Sequence, residues 1–247
     1  MRFSSNSSTN QYPKRAAAFG AAFAVLTLVL VGTQCSSLTP KQRALREVAV
    51  GRALTARFAK SEGILQNAQA TSYISLVGES VAQAAGSSGN EFHFAILNTD
   101  KEISAAGPGG YILISKGYLK KLNSEAELAA VLAREIAHVA LAHYSDSVLT
   151  SGSVIETSEE GSEELYEMIM KGDRPTQQVA DADAAAAFYL YSVGYDPNAV
   201  VAILDRGIPQ KNAASDRKAM LQKVISENGL TGSQTNQARF KSSLRGI

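Results

Sequence analysis

Apolar residues recur every three or four positions over most of the chain, which predicts a mainly helical protein. The first helix begins at Thr39-Pro40, because threonine is a good N-cap and proline is tolerated at the first helical position. Its apolar residues continue at helical spacing through residue 59. A second helix is predicted over residues 68–85, and a glycine- and serine-rich turn follows it.

After this turn, the helical spacing of apolar residues gives way to an alternation of apolar and polar residues. Apolar and polar side chains alternate over residues 91–97, as in a strand with one buried face. Residues 103–106 and 111–115 predict two further short strands, joined by the glycine-rich residues 107–110. Together these segments predict a small antiparallel sheet. The glycines favour a tight turn, although they would also allow a bound peptide to approach the backbone.

Residues 124–143, SEAELAAVLAREIAHVALAH, predict a buried helix that is rich in alanine and leucine. Ser124 and Glu127 have the spacing of a capping box at its start. Six glutamates follow within residues 156–167, which predicts either a solvated helix face or a mobile loop. We expect the other elements to be organised around the helix of residues 124–143.

Three more helices are predicted, over residues 177–193, 196–206 and 215–227. Residues 229–247 are polar and mildly basic, so we expect a flexible tail. The folded part is therefore predicted to be a single domain of residues 39–228. Its predicted class is α+β: mostly helical, with the small antiparallel sheet beside the central helix.

Charge and cysteine content narrow the range of functions. The chain has 24 basic and 23 acidic residues and a formal net charge of +1. This balance argues against nucleic acid as a partner, because phosphate recognition needs concentrated positive charge. The single cysteine, Cys35, excludes an intramolecular disulfide.

Residues 1–35 are predicted to be a targeting segment. A polar leader with three basic residues precedes the uncharged apolar residues 16–32, as in secretory signal peptides. Cys35 is then expected to carry a lipid, as in a bacterial lipoprotein; a plain cleaved signal and an uncleaved membrane anchor are the alternatives. All three place the remainder in the bacterial cell envelope, facing the periplasm. Ser36 is not the aspartate that retains lipoproteins in the inner membrane, which favours the outer membrane.

The central helix contains Arg134-Glu135-x-x-His138, which is a metalloprotease motif with its first histidine replaced by arginine. In the intact H-E-x-x-H motif, two histidines four residues apart lie on one helix face and bind one Zn²⁺. The glutamate acts as the general base on the metal-bound water, and a third ligand comes from elsewhere in the fold.

Two segments around this motif resemble a known family. They are PGGYILISKGYLKKLNSEAELAAVLAREIAHVALAH, residues 108–143, and VADADAAAAFYLYSVGYDP, residues 179–197. Both resemble the HtpX and CAAX-prenyl-protease family of zinc metallopeptidases, in particular its soluble, envelope-located members, which are often lipoproteins. The resemblance extends from about residue 48 to residue 196. It implies a zincin-like fold of the gluzincin type, with the sheet beside the metal-binding helix.

The resemblance also assigns site residues. Glu135 occupies the position of the catalytic general base, and His138 occupies that of a zinc ligand. The two other ligand positions hold Arg134 and Val179, and neither side chain can bind zinc. A zinc site of the family type should therefore not form, and we expect no cofactor.

We hypothesise that Arg134 takes the place of the metal ion and forms an ion pair with a nearby carboxylate. Glu135, Asp183 and Asp181 are the candidates, and Asp183 matches an aspartate that supports the metal ligands in the family. One alternative is that Arg134 reaches solvent without a partner. Another is a rebuilt metal site that uses Glu135, His138 and one of the two aspartates.

The expected function is that of a catalytically inactive, peptidase-like protein that binds or scaffolds other envelope proteins or their peptides. A peptide would add to the sheet along the strand that contains Gly110, Tyr111, Ile112 and Leu113. The alternative that the family implies is an active zinc metalloendopeptidase in envelope protein quality control, with Glu135 as general base and zinc as cofactor. A purely structural lipoprotein without a peptide cleft is the third alternative.

Overall fold

Helix α4, residues Glu125–Ala140, lies at the centre of the fold. The structure is a computed structural model, and it describes residues 38–86, 91–144, 149, 154–205 and 214–247. Every residue of α4 from Glu125 to Val139 is buried, because small alanine side chains let neighbouring elements approach it from all sides. The hydroxyl of Ser124 caps the helix by accepting a hydrogen bond from the N–H of Glu127 at 3.2 Å.

The other helices are placed around α4 and the sheet. They are α1 (Pro40–Glu62), α2 (Ala68–Ala84), α3 (Lys116–Leu119), α5 (Val154–Lys171), α6 (Thr176–Ser192), α7 (Asn198–Leu204), α8 (Ala214–Glu227) and α9 (Gln237–Ser243). Helices α2, α6 and α7 pack against α4, and α5 packs against α1. The glutamate-rich segment is therefore a helix, as one of its two interpretations predicted. The mainly helical α+β class is confirmed.

The sheet contains β1 (His93–Leu97), β2 (Ser104–Gly107) and β3 (Tyr111–Ser115), in the order β1–β3–β2. Strands β2 and β3 are antiparallel, as predicted, but β1 and β3 are parallel, so the sheet is mixed. The reason is that the chain passes from β1 to the far side of the sheet before it forms β2. The tight turn after β2 then inserts β3 between the two earlier strands, in the direction of β1.

The backbone of the turn between β2 and β3 requires glycine at its two central positions. Gly109 and Gly110 have φ angles of +74° and +88°, in the left-handed region that favours glycine. A Cβ atom on Gly110 would lie 2.3 Å from the carbonyl oxygen of Glu91, which is too close for any side chain. The tight turn therefore accounts for these residues without a bound peptide.

Residues 229–247, which we expected to form a flexible tail, contain helix α9 and belong to the same compact unit as the rest of the described chain. Phe240 is buried in the core, and Arg239 forms an ion pair with Glu125 at the start of α4. The fully buried carboxylate of Glu125 also accepts hydrogen bonds from the hydroxyls of Tyr73 and Tyr195, at 2.8 and 2.6 Å. A buried carboxylate needs such partners, which explains why this polar segment is folded.

The predicted targeting segment, residues 1–35 with Cys35, lies outside the described residues. Its interpretation as a lipoprotein signal therefore stays a prediction. Within the part of the chain that the structure describes, no helix combines the length and the apolar character that crossing a membrane requires.

Candidate functional site

The middle of α4 and the first half of α6 bring together two residues of the predicted site. Arg134 is 1% exposed, and its Nε lies 2.7 Å from Oδ1 of Asp183, which is also buried. The N–H of Nε does not point at that oxygen, so the contact is an ion pair rather than a directed hydrogen bond. The hypothesis that Arg134 pairs with a carboxylate is thus confirmed, with Asp183 as the partner.

Asp183 has a second arginine partner, which the sequence did not indicate. Arg217 of α8 donates from Nε and Nη2 to Oδ2 of Asp183, at 3.1 and 2.7 Å. One carboxylate therefore joins two buried guanidinium groups, each through a different oxygen. Breaking such an arrangement is costly, because removing the carboxylate leaves buried positive charge without compensation.

Glu135 lies on the side of α4 that faces the sheet. Its Oε1 accepts a hydrogen bond from the hydroxyl of Ser104 at 2.7 Å. Its Oε2 is buried and has no hydrogen-bond partner within the described residues. Because Ser104 is the first residue of β2, the position of the general base lies beside an edge strand of the sheet. From there, the carboxylate could accept one further hydrogen bond.

His138 contacts His143 through the ring nitrogens. The two Nδ1 atoms are 3.0 Å apart, so one ring donates and the other accepts. Burial, followed by the charge of Arg174, holds the pKa of His138 well below its ordinary value, and the ring is neutral at pH 7. On a continuous helix, His143 would point away from His138, because residues five apart do not share a face. Helix α4 instead ends at Ala140, and the chain then folds back to bring the two rings together.

Two further residues of the predicted site, Val179 and Asp181, do not take part in the ion pair between Arg134 and Asp183. Val179, at the position where the resemblance places the third ligand, is 1% exposed and offers only an aliphatic surface. Asp181 is exposed and accepts a hydrogen bond from Nε2 of Gln177, on its own helix, at 2.8 Å. The two aspartates of α6 thus point to different sides, because residues two apart on a helix do not share a face.

These residues do not fit a zinc ion. Zinc takes three or four nitrogen, oxygen or sulfur donors in a tetrahedral arrangement. The described residues contain no group of three or more His, Cys, Asp and Glu side chains that could hold a metal. Arg134 adds a permanent positive charge at the first ligand position, and Asp183 is already engaged by two arginines. The geometry also gives no support to a metal site rebuilt from Glu135 and His138.

Several buried polar atoms around Arg134 lack a hydrogen-bond partner in the part of the chain that the structure describes. They are Nη1 of Arg134, Nη2 of Arg174, Oε2 of Glu135 and the hydroxyl of Tyr118. Burial lowers the pKa of Arg174, while the nearby charge of Glu135 acts in the opposite direction. These charges therefore lie close enough to affect one another. We call Arg134, Arg174, Arg217, Glu135 and Asp183 the arginine cluster.

The strand that we expected to receive a peptide is not an edge strand. Tyr111, Ile112 and Leu113 belong to β3, which pairs with β1 on one side and with β2 on the other. The carbonyl oxygen of Gly110, just before this strand, already accepts a hydrogen bond from the N–H of His93 at 2.9 Å. The prediction of peptide addition along β3 is therefore wrong, because its backbone groups are used within the sheet.

Strand β2 is the edge of the sheet that lies beside Glu135. The outer edge of β1 is partly covered by Leu65, whose N–H donates to a β1 carbonyl oxygen at 2.8 Å. Next to β2, the carbonyl oxygen of Ile103 accepts a hydrogen bond from the N–H of Ser115 at 2.8 Å. Since ladder bonds alternate along an antiparallel pair, the backbone groups of Ser104 and Ala106 point away from β3. Among the described residues, this edge next to Glu135 pairs with no further strand; Ser104 is half-buried and Ala106 is buried.

Comparison with known proteins agrees with this arrangement of sheet and helix. A model of peptidase family M48 matches residues 68–237, which is more than half of the chain. The chain belongs to peptidase family M48. The family resemblance inferred from the two motifs is thereby confirmed, and the M48 match includes the sheet, α4 and the whole arginine cluster.

Two curated relatives share part of this M48 region. The β-barrel assembly-enhancing protease of Yersinia pestis is 31% identical over 98 residues, and that of Escherichia coli (strain K12) is 28% identical over 98 residues. Each alignment covers 40% of this chain but only 20% of the relative. The similarity therefore concerns about a fifth of the length of these relatives.

Proposed function

We propose that this M48-family protein is a non-catalytic, peptide-binding protein of the bacterial envelope. The observation that carries the proposal is the ion pair of Arg134 with Asp183, at the position where the resemblance places the first zinc ligand. A buried guanidinium repels a metal cation and cannot coordinate it. Val179 replaces a second donor with an aliphatic side chain. Glu135 then has no metal-bound water from which to remove a proton.

Peptide binding is proposed at the outer edge of β2. The side chains of Ala105 and Ala106 pack into apolar clusters on opposite faces of the sheet, so only the backbone edge is available to a partner. An extended peptide would form hydrogen bonds with the outward-pointing groups of Ser104 and Ala106. The relatives are named for enhancing β-barrel assembly, so we propose unfolded envelope proteins with strand-forming segments as partners.

The proposed location follows from residues 1–35. We propose that this segment is a lipoprotein signal, that Cys35 carries the lipid, and that the M48 domain faces the periplasm from the outer membrane. The second candidate function, an active zinc metalloendopeptidase in envelope protein quality control, is favoured by the retention of Glu135 and His138. The two functions differ in whether the protein needs a metal.

The metal content of the purified protein tests the proposal that the protein has no zinc site. Purified protein is expected to contain far less than one zinc ion per chain after dialysis, as measured by atomic emission or mass spectrometry. The double variant Arg134→His/Val179→Glu restores the two missing donors and is expected to bind about one zinc ion per chain. Adding Arg174→Gln should tighten that binding, because it removes a positive charge close to His138.

Arg57→His is a matched control for the zinc experiment, because it introduces a histidine at a half-buried arginine, outside the arginine cluster, that pairs with Glu163. It should bind no zinc. About one zinc ion in the unaltered protein would instead support the metalloendopeptidase.

Peptide binding tests the proposed site. Strand addition uses only one edge of the bound peptide, so two peptides that are N-methylated at complementary sets of alternate residues should differ. One should bind as well as the unmethylated peptide, and the other should lose binding at least about 10-fold in fluorescence anisotropy. Glu135→Gln should leave binding in place, and mass spectrometry should show the peptide intact. Cleavage that is lost in Glu135→Gln would overturn the proposal of a non-catalytic protein.

A further inference from the structure

Arg174 is a buried cation for which the fold supplies very little compensation. It lies in the connection between α5 and α6 and is 9% exposed. Its Nη1 donates to the carbonyl oxygen of His143 at a long 3.4 Å, and its Nη2 has no hydrogen-bond partner among the described residues. No carboxylate of the described residues lies within ion-pair distance of Arg174. This arrangement differs from that of Arg134, whose charge is compensated by Asp183.

A second unpaired donor lies close to Arg174. Nη1 of Arg134 is buried and finds no hydrogen-bond partner in the part of the chain that the structure describes, although Nε of the same group contacts Asp183. The hydroxyl of Tyr118 is a third unpaired group near Arg134. Leaving buried donors of charged groups unpaired is costly, so clustered donors of this kind are typical of a site that receives an acceptor from outside.

The chemistry of these donors selects an anion. Guanidinium groups donate and do not accept, and they match carboxylate oxygens in geometry and charge. Water could accept from them but would not compensate the charge of Arg174. A carboxylate would do both, and its single negative charge matches the one guanidinium that lacks a carboxylate partner. A doubly charged phosphate would leave a surplus negative charge beside Glu135.

We propose that Arg174 and Arg134 bind the C-terminal carboxylate of a peptide that lies along the outer edge of β2. This inference rests on the proposed function, since it takes β2 as the docking strand. Ser104, at the start of β2, is hydrogen-bonded to Glu135, so the edge strand leads directly to the arginine cluster. The donors of the cluster are almost fully buried, and such a closed site can receive the end of a chain but not a chain that continues beyond it. The unpaired Oε2 of Glu135 could then accept the last N–H of the peptide.

The test uses three fluorescein-labelled octapeptides of alternating valine and serine. The first has a free C-terminal carboxylate, and the second has a C-terminal amide. The third is also an amide but ends in aspartate, so its only carboxylate is on a side chain. Fluorescence anisotropy is expected to show that the free acid binds at least about 10-fold more tightly than either amide. Arg174→Gln should remove this difference, while Arg57→Gln, a change at an arginine outside the cluster, should preserve it.

The outcomes separate this inference from the function on which it rests. If all three peptides bind equally well, the carboxylate site is wrong but peptide binding stands. If the aspartyl amide binds as tightly as the free acid, the preference for a chain terminus is wrong. If no peptide binds, the proposed function itself fails. Circular dichroism checks that Arg174→Gln is folded; were it not, Arg174→Lys, which keeps the charge with fewer donors, should give a smaller preference than the unaltered protein.

Discussion

Replacing Asp183 by asparagine is expected to lower the free energy of unfolding by about 3–5 kcal/mol. The substitution preserves the shape of the side chain but removes the negative charge that Arg134 and Arg217 share. Both guanidinium groups would remain buried without this carboxylate, and a buried charge that loses its partner cannot recover the hydration it gave up on folding. Urea denaturation at pH 7 would measure the change as a lower transition midpoint at constant slope.

A surface ion pair provides the matched control. Asp205 pairs with Lys218 at 2.7 Å and its side chain is 56% exposed, so Asp205→Asn should cost less than about 1 kcal/mol. Adding Arg134→Met to Asp183→Asn should recover part of the loss, because it removes one of the two guanidinium groups that lose this carboxylate. If Asp183→Asn cost no more than Asp205→Asn, the buried ion pair would have no role in stabilising the site.

Replacing Glu125 by alanine is expected to have a similarly large effect, a loss of about 3–5 kcal/mol. The carboxylate is fully buried and holds four partners, which are Arg239, Asn236, Tyr73 and Tyr195. Its removal leaves several donors unpaired and separates α9 from the start of α4. Glu163→Ala, which breaks an exposed pair with Arg57, should cost less than about 1 kcal/mol in the same denaturation experiment.

The same carboxylate should make stability depend on pH. Burial acts to raise the pKa of Glu125, but hydrogen bonds from Arg239, Tyr195 and Tyr73 together outweigh it and hold the pKa below its ordinary value. A lowered pKa in the folded state means that the contribution is complete above the unfolded value of about 4.3 and is lost as the pH falls through the folded value. Stability measured from pH 7 to pH 3 should therefore decline less in Glu125→Ala. Equal declines in both proteins would contradict the assigned role.

The local sequence pattern was sufficient to predict the helices and the residues at the centre of the site. The spacing of apolar residues placed α2, α4 and α6 within a few residues of their observed bounds, because helical periodicity is a local property. The motifs predicted a carboxylate partner for Arg134 from the cost of burying an unpaired charge, and the structure identifies Asp183 among the three candidates.

The remaining members of the site depend on contacts that no local pattern encodes. Arg217 reaches Asp183 from a helix 34 residues later, and Arg174 reaches the cluster from a short connection between helices. The parallel pairing of β1 with β3 depends on the side of the sheet to which the chain crosses, which alternation alone cannot specify. The end of α4 at Ala140 was also missed, because apolar residues continue beyond it.

The polar C-terminal segment shows how a small number of residues can decide whether a segment folds. Residues 229–247 have the composition of a flexible tail, and only Phe240 is a large apolar side chain in the middle of α9. Its burial, the contacts of Leu230 and Leu244 with the core, and the bonds of Arg239 and Asn236 to Glu125 together hold the segment on the core. The sequence signal was a few apolar residues and one arginine within a polar segment, which the average composition does not reveal.

The pairing of Glu125 with Arg239 also has a consequence for biosynthesis. The two residues are 114 positions apart, so the start of α4 is made by the ribosome long before its partner exists. Until then, burying Glu125 would leave a carboxylate without the cation that compensates its charge. The first turn of α4 is therefore expected to remain solvent-exposed. Docking of α9 is therefore expected among the last steps of assembly. A nascent or truncated chain that lacks α9 would be recognisable to chaperones and proteases by its unfinished central helix.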